Sequence, residues 1–287
     1  MTASWIKLAF AVGAAGAFTA LIPSCADNHM TIFIRQMQAL EAPECTVNND
    51  VSALHTPSGF IDVGIASNYM VHPLVGNQLL SKGDPRQAKA EPNRVQLEGA
   101  EIELVNARGD ALAIGESNPY SVIATGTIDP TSSADAAYGV TQVEVIPPKI
   151  MAVLRKTLHD SGGIGTTQTI HAKISVFGHT LGGTAVETGT FTFPITACYG
   201  CGVSVPAEAV DPKLGTRNCK GVSATTSAGG SQKTICSAGQ DALTDCRLCQ
   251  GVLPLCTPCT TTADCGAMLS PLTKTPAVCN TTAGFCE

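Results

Sequence analysis

Hydrophobic and polar positions alternate along much of the chain between residues 45 and 197. In the segment 93–106, "NRVQLEGAEIELVN", apolar side chains alternate with Gln and Glu side chains. This period of two is typical of a β-strand with one face buried and the other in water. Clusters of Pro, Gly, Asp and Ser separate six further segments of this kind, at 60–66, 111–115, 120–128, 138–146, 169–179 and 183–195. The pattern predicts a series of short antiparallel strands.

One segment has a helical period instead. The stretch "KIMAVLRKTLH" (149–159) follows Pro147-Pro148, and its apolar residues fall near one face of a helix. Proline is favoured in a first helical turn. Strands and helix together predict an immunoglobulin-like antiparallel β-sandwich with one helix over residues 45–197. In this overall pattern the chain resembles immunoglobulin-like sandwich modules of secreted bacterial proteins, a resemblance that implies a fold and no site.

The N-terminal region contains an apolar run without a charge, residues 8–22. The run is shorter than the ~20 residues that a membrane-spanning helix needs. It matches the apolar core of a secretory signal, with Lys7 as a positive flank. We therefore expect residues 1–24 to be a signal peptide. A plain signal peptide cut near Ser24 and an uncleaved anchor are the alternatives to the lipid attachment described next.

The sequence Ile22-Pro23-Ser24-Cys25 ends this run and resembles the lipobox of bacterial lipoproteins. The resemblance implies that the Cys25 thiol is acylated, that the signal is cut just before Cys25, and that the new amine is acylated too. Several acyl chains hold a protein on a membrane stably, whereas one holds it marginally. Residues 25–44 would then be a lipid-tether segment. In that family an acidic residue after the cysteine retains the protein in the inner membrane. Ala26 stands there, which favours the outer membrane.

The net charge of the chain restricts the classes of partner that it can bind. The formal net charge is −6, from 17 Lys and Arg against 23 Asp and Glu. An acidic chain argues against a nucleic-acid partner, because phosphates are bound by basic surfaces. The sequence contains no Gly-x-Ser-x-Gly elbow and no phosphate-binding Gly-Lys-Ser/Thr loop, and we expect no cofactor.

The thirteen cysteines divide the chain sharply. None lies between Cys45 and Cys198, and eleven lie in the segment 198–287. With Cys25 set aside for lipid, Cys45 makes an even twelve, so we expect it to pair with a cysteine of that segment. The spacing of the cysteines does not determine which of them form disulfides with each other. The disulfide candidates are Cys45, Cys198, Cys201, Cys219, Cys236, Cys246, Cys249, Cys256, Cys259, Cys265, Cys279 and Cys286.

The segment 198–287 differs from the rest in composition as well. It is rich in Pro, Gly, Thr and Ser and has two aromatic residues, so it cannot bury enough apolar surface to offset its chain entropy. Small secreted domains use disulfides for this purpose, each typically worth ~2–4 kcal/mol. The stretch 259–286 resembles short disulfide knots of dickkopf or EGF-like type. We predict a small disulfide-stapled domain over 198–287.

Three Cys-x-x-Cys pairs start at positions 198, 246 and 256. A zinc ribbon needs its two pairs ~15–20 residues apart, whereas the second and third pairs are separated by residues 250–255 and no His lies in the segment. Covalent haem needs a His after the second cysteine, and none is present. A catalytic redox pair belongs at a helix N-terminus, but "GVSVP" after Cys201 is a poor helix. Structural disulfides are therefore favoured, with no metal.

A serine-hydrolase alternative rests on "HDSGG", residues 159–163. It resembles the nucleophile segment of chymotrypsin-like serine proteases, with Ser161 in the nucleophile's place, where glycines let backbone amides reach an oxyanion. That family has Gly where His159 stands and places its catalytic His just before a Cys, a setting that this chain lacks. A polar helix end running into a Gly-rich loop is the simpler interpretation.

These observations predict a lipid-anchored protein of the cell envelope, on the outer membrane and facing the periplasm or the surface. We expect a non-enzymatic binding or structural module that contacts the membrane through its lipid and takes an unidentified protein or glycan partner. The alternatives are a secreted serine hydrolase that uses Ser161 and a thiol–disulfide oxidoreductase that uses a Cys-x-x-Cys pair.

Overall fold

The structure is a computed structural model, and it describes residues 31–84, 90–210, 219 and 236–287. Cys25 and the predicted signal peptide lie outside the described residues. The strands are β1 Ile32–Gln38, β2 Gly59–Asp62, β3 Tyr69–Asn77, β4 Val95–Asn106, β5 Tyr120–Ile128, β6 Ala137–Val140, β7 Val143–Ile146, β8 Thr167–Thr180, β9 Ala185–Glu187, β10 Phe191–Cys198, β11 Val203–Ser204, β12 Thr244–Asp245, β13 Cys279–Asn280 and β14 Phe285–Cys286. The helices are α1 Pro148–Gly162 and the single turn α2 Cys246–Cys249, with 3₁₀ turns at Ala207–Ala209, Pro254–Cys256 and Thr262–Cys265.

Two sheets form the main body of the protein. One has the order β1-β3-β6, with β7 also paired to β3, and the other has the order β2-β10-β8-β4-β5, with β9 paired to β8. Apolar side chains from both sheets belong to one buried core. The prediction of a mainly β, largely antiparallel fold with one long helix and a cysteine-rich C-terminal part is thereby confirmed. The β2–β10 pair differs, since these strands run parallel.

The alternating pattern of β4 matches its place in the sheet. Ile102 and Leu104 are fully buried, whereas Glu101, which directly precedes Ile102, faces solvent. Glu103 reaches Lys173 of β8, with Oε2 and Nζ 3.0 Å apart. The period of two in the sequence thus becomes one core face and one wet face.

Helix α1 packs its predicted apolar face onto the core. Ile150, Met151, Leu154 and Leu158 are buried. From the side of the helix, Arg155 donates hydrogen bonds to two carbonyl oxygens in the segment after β2. The helix is therefore attached to the sheet by both apolar packing and polar contacts.

The β-domain begins earlier than the predicted boundary at residue 45. Strand β1 lies within the predicted tether segment 25–44, but it pairs with β3 in antiparallel register. Ile32 and Met37 of this strand are buried in or against the core. The amphipathic stretch at 32–38 is therefore part of the sandwich, because its apolar residues have a sheet face to cover.

The cysteine-rich segment is docked on the sandwich. Gln240 forms a β-bridge with Ile61 of β2, and the Asp241 N–H donates to the Phe60 carbonyl at 2.8 Å. Leu255 joins the core of the sandwich. The segment thus covers the outer edge of β2, where unpaired backbone groups would otherwise face solvent.

Within the described ranges, no helix has the length and hydrophobicity needed to cross a membrane.

Candidate binding cleft between the sandwich and the cysteine-rich segment

Six disulfides join the twelve cysteines of the described residues. The pairs are Cys45–Cys236, Cys198–Cys201, Cys219–Cys246, Cys249–Cys256, Cys259–Cys279 and Cys265–Cys286. The first of them spans 191 positions and ties the loop after β1 to the C-terminal segment. This pairing agrees with the expectation from the even number of cysteines. So many disulfides are typical of an oxidising compartment outside the cytoplasm.

The three Cys-x-x-Cys motifs differ in how their cysteines pair. Cys198 and Cys201 bond to each other, whereas the cysteines of the other two motifs bond to partners outside their own motif or across motifs. Among the described residues, one group of three cysteine sulfurs lies within 4.8 Å, formed by Cys259, Cys265 and Cys286. All three sulfurs belong to disulfides, so they are not thiolates that could bind a metal in this state.

Ser161 lies in the last turn of α1, on its exposed side. Its hydroxyl donates to the Leu158 carbonyl at 2.9 Å. The neighbouring His159 directs Nδ1 to Asp160 at 3.2 Å, and its ring meets Tyr199 edge-on. Within the described part of the chain, the hydroxyl thus bonds to its own helix rather than to a base.

A buried carboxylate holds the Cys198–Cys201 loop. Asp62, fully buried at the end of β2, accepts N–H hydrogen bonds from Gly64, Gly200 and Gly202 at 2.9, 2.8 and 2.6 Å. Burial raises the pKa of Asp62 above its usual value, and the three N–H bonds partly oppose that rise. The same carboxylate thus joins the end of β2 to the loop after β10.

A cleft lies where the sandwich meets the cysteine-rich segment. Its volume is about 300 Å³, at the lower end of the range for small-molecule sites. The walls come from β1 and the loops after it, from β3, from Phe193 of β10, and from residues 236–242. Cys236 lines the cleft, so the Cys45–Cys236 disulfide joins two of its walls.

The polar side of the cleft is built on Tyr69 and Asp241. The Tyr69 hydroxyl donates to Asp241 Oδ1 at 2.9 Å, and the Phe60 N–H donates to the same oxygen at 2.8 Å. A Cβ on Gly59 would lie 1.9 Å from the Tyr69 hydroxyl, so only glycine leaves room for this ring. Desolvation raises the pKa of Asp241, while these two bonds work in the opposite direction.

Gln240 completes the polar side of the cleft, because its side chain bonds to the backbone of Met70 as a neighbouring strand would. Its side-chain amide accepts from the Met70 N–H at 3.1 Å and donates to the Met70 carbonyl at 2.7 Å. Both backbone groups of Met70 are therefore already bonded to the protein at this point of the wall.

His72 is the remaining titratable group of the wall. It is only 9% exposed, and burial lowers the pKa of its imidazole. The ring is therefore neutral at pH 7 and offers one donor and one acceptor.

The residues of this cleft carry no signal of a site in the sequence. His72 is one of six histidines in the sequence, and Tyr69, Gln240 and Asp241 stand in no recognisable motif. Folding alone brings these residues together, since Tyr69 and Asp241, for example, are about 170 positions apart in the sequence. No family model matches the chain, and no curated protein is significantly similar to it.

Proposed function

We propose that the chain is a lipoprotein of the cell envelope, anchored through Cys25, that acts as a non-enzymatic binding module. The observation that carries the proposal is the cleft at the junction of the two parts. It combines apolar walls with a few fixed polar groups, and two of those groups, Asp241 and His72, have shifted pKa values. This combination is typical of a small-molecule binding site.

The attachment is supported by the lipobox-like sequence, and the density of disulfides, typical of exported proteins, is consistent with it. Metabolic labelling with palmitate tests it. Wild type and Ser24→Ala should incorporate the label and sediment with membranes, because both keep Cys25 and a small residue before it. Cys25→Ser should do neither. Equal labelling of Cys25→Ser would remove Cys25 as the attachment point.

The binding role is tested with a low-molecular-weight filtrate of bacterial cell envelopes. Hydrogen exchange of the full-length protein should slow at residues 69–72 and 237–242 when the filtrate is added. Ala242→Trp fills the cleft and should abolish the protection. Ala152→Trp places the same side chain on the exposed face of α1 and should keep it. Unchanged exchange in wild type would contradict the proposal.

The hydrolase alternative has a separate test. An active-site serine probe that labels the wild type and fails to label Ser161→Ala would replace the binding role by catalysis. The hydrogen bond from Ser161 to Leu158 gives this alternative no support.

A further inference from the structure

We infer that the cleft selects a small organic cation, an amine carried on a compact apolar group. The inference rests on the proposed binding role and names the class of ligand. It is carried by the charge, the free hydrogen-bonding capacity and the shape of the walls.

The charge of the walls has one sign. Among the described residues that line the cleft, Asp241 is the only carboxylate, and none is Lys or Arg. The other titratable side chains there, Tyr69 and His72, are neutral at pH 7. Cys236 is bonded to Cys45 and does not titrate. From the described walls, a ligand that enters this cleft therefore meets one carboxylate and no cationic side chain.

Asp241 is held firmly and still has capacity to accept. Its backbone lies in the left-handed region, at φ +55°, and its N–H and Oδ1 are both bonded to Phe60. Oδ1 carries two donors, whereas Oδ2 receives a long contact of 3.3 Å from Gln240. A carboxylate can accept about four hydrogen bonds, so Oδ2 can take an ammonium donor without any rearrangement of the loop.

The same wall offers little to an anion. The Met70 N–H and carbonyl are engaged by the Gln240 amide. A ligand carboxylate placed near Asp241 would be repelled strongly, because like charges lie at short distance in a poorly solvated site. Hydrogen bonds from the neutral groups available there cannot offset this repulsion. The charge of the cleft thus discriminates between ligands of otherwise equal shape.

The remaining walls suit a compact apolar group. Met37, Tyr69 and Phe193 form a buried floor, and Leu54, which is 64% exposed, stands at the rim. Aromatic rings accept both apolar groups and cations, and the flexible thioether of Met adapts to irregular apolar surfaces. A volume of about 300 Å³ equals that of roughly ten water molecules. This is room for one ring with a short amine arm, rather than for a peptide or a glycan chain.

Titration calorimetry on the full-length protein in mild detergent tests the inference with three probes of one shape: phenethylamine, 2-phenylethanol and phenylacetate. Phenethylamine should bind at least about ten times more tightly than the alcohol, and phenylacetate most weakly. Equal binding of amine and alcohol, or preference for the acid, would overturn the cation while leaving the binding role intact. If none of the three probes binds while the envelope filtrate still protects the cleft from exchange, the preference for a cation is likewise overturned and the binding role is kept.

The variant Asp241→Asn sharpens the test. Asparagine keeps an oxygen that can accept from Phe60 and Tyr69, but it loses the charge. Its affinity for phenethylamine should fall to that for the alcohol, while alcohol binding stays unchanged. Glu101→Gln removes the same charge from the exposed face of β4 and should behave as wild type. An equal loss in both variants would mean that overall charge, and not the cleft, attracts the amine.

Discussion

The hydroxyl of Tyr69 and the carboxylate of Asp241 meet at 2.9 Å although 172 positions separate them in sequence. The bond joins the first residue of β3 to the segment that follows Cys236. It lies beside the β-bridge that covers the edge of β2. One contact thus connects the sandwich, the cysteine-rich segment and the wall of the cleft.

Tyr69→Phe should weaken this junction. The variant loses one buried hydrogen bond, which lowers the free energy of unfolding by about 0.5–1.5 kcal/mol. The pKa of Asp241 should rise further, because the Tyr69 bond is one of the contacts that lower it. Denaturant unfolding and an NMR titration of the Asp241 carboxyl measure the two effects. Tyr138→Phe, in a ring that packs edge-on against Phe33, is the control and should leave the Asp241 pKa unchanged.

The stability contributed by Asp62 should depend on pH in a defined direction. Burial raises the pKa of Asp62 in the folded protein, so the folded state binds this proton more tightly than the unfolded state. The contribution is fully present below the unfolded pKa of about 3.9, and it is lost as pH rises through the folded value.

Asp62→Asn removes that dependence. The unfolding free energies of wild type and variant are compared in urea from about pH 3.5 to pH 7. As pH rises, the stability of wild type relative to the variant should therefore decrease. A difference that grows in favour of wild type over the same range would show that the N–H bonds, and not burial, dominate the carboxylate.

Gly202→Ala should destabilise the Cys198–Cys201 loop. A Cβ at this position would lie 2.7 Å from the Asp62 Cβ, which is held by its own strand and cannot move aside. Overpacking of this kind costs about 1–3 kcal/mol. Gly126→Ala is the matched control, since the nearest atom to its new Cβ is 3.5 Å away. Equal unfolding midpoints for the two variants would refute the crowding argument.

Loss of the Cys45–Cys236 disulfide should both destabilise the fold and loosen the cleft. The bridge closes a loop of 191 positions, and removal of such a bridge typically costs about 2–5 kcal/mol. In the double variant with Ala at 45 and 236, hydrogen exchange at 237–242 should accelerate. The double variant with Ala at 198 and 201 opens a loop of only 3 positions and should lose less chain-entropy stabilisation. A larger loss in this second variant would contradict the dependence on loop length.

Local pattern was sufficient for much of the architecture. The strands, the helix after Pro147-Pro148 and the disulfide-dense C-terminal part follow from periodicity, proline placement and cysteine density, each of which acts within a short stretch of chain. The β-domain starts with β1, before the predicted boundary at residue 45. Strand β1 is short and mixed in polarity, and only its pairing with β3 shows where it belongs.

The sequence by itself determined that this protein is a mainly β chain with a stapled C-terminal part, because burial of alternating side chains and a shortage of apolar residues are local properties. The tertiary structure alone decided the partner of Cys45, the burial of Asp62 and the cleft around Tyr69 and Asp241. These features depend on which distant segments touch. Such contacts are set by the packing of two sheets around a common core, and no short stretch of sequence encodes them.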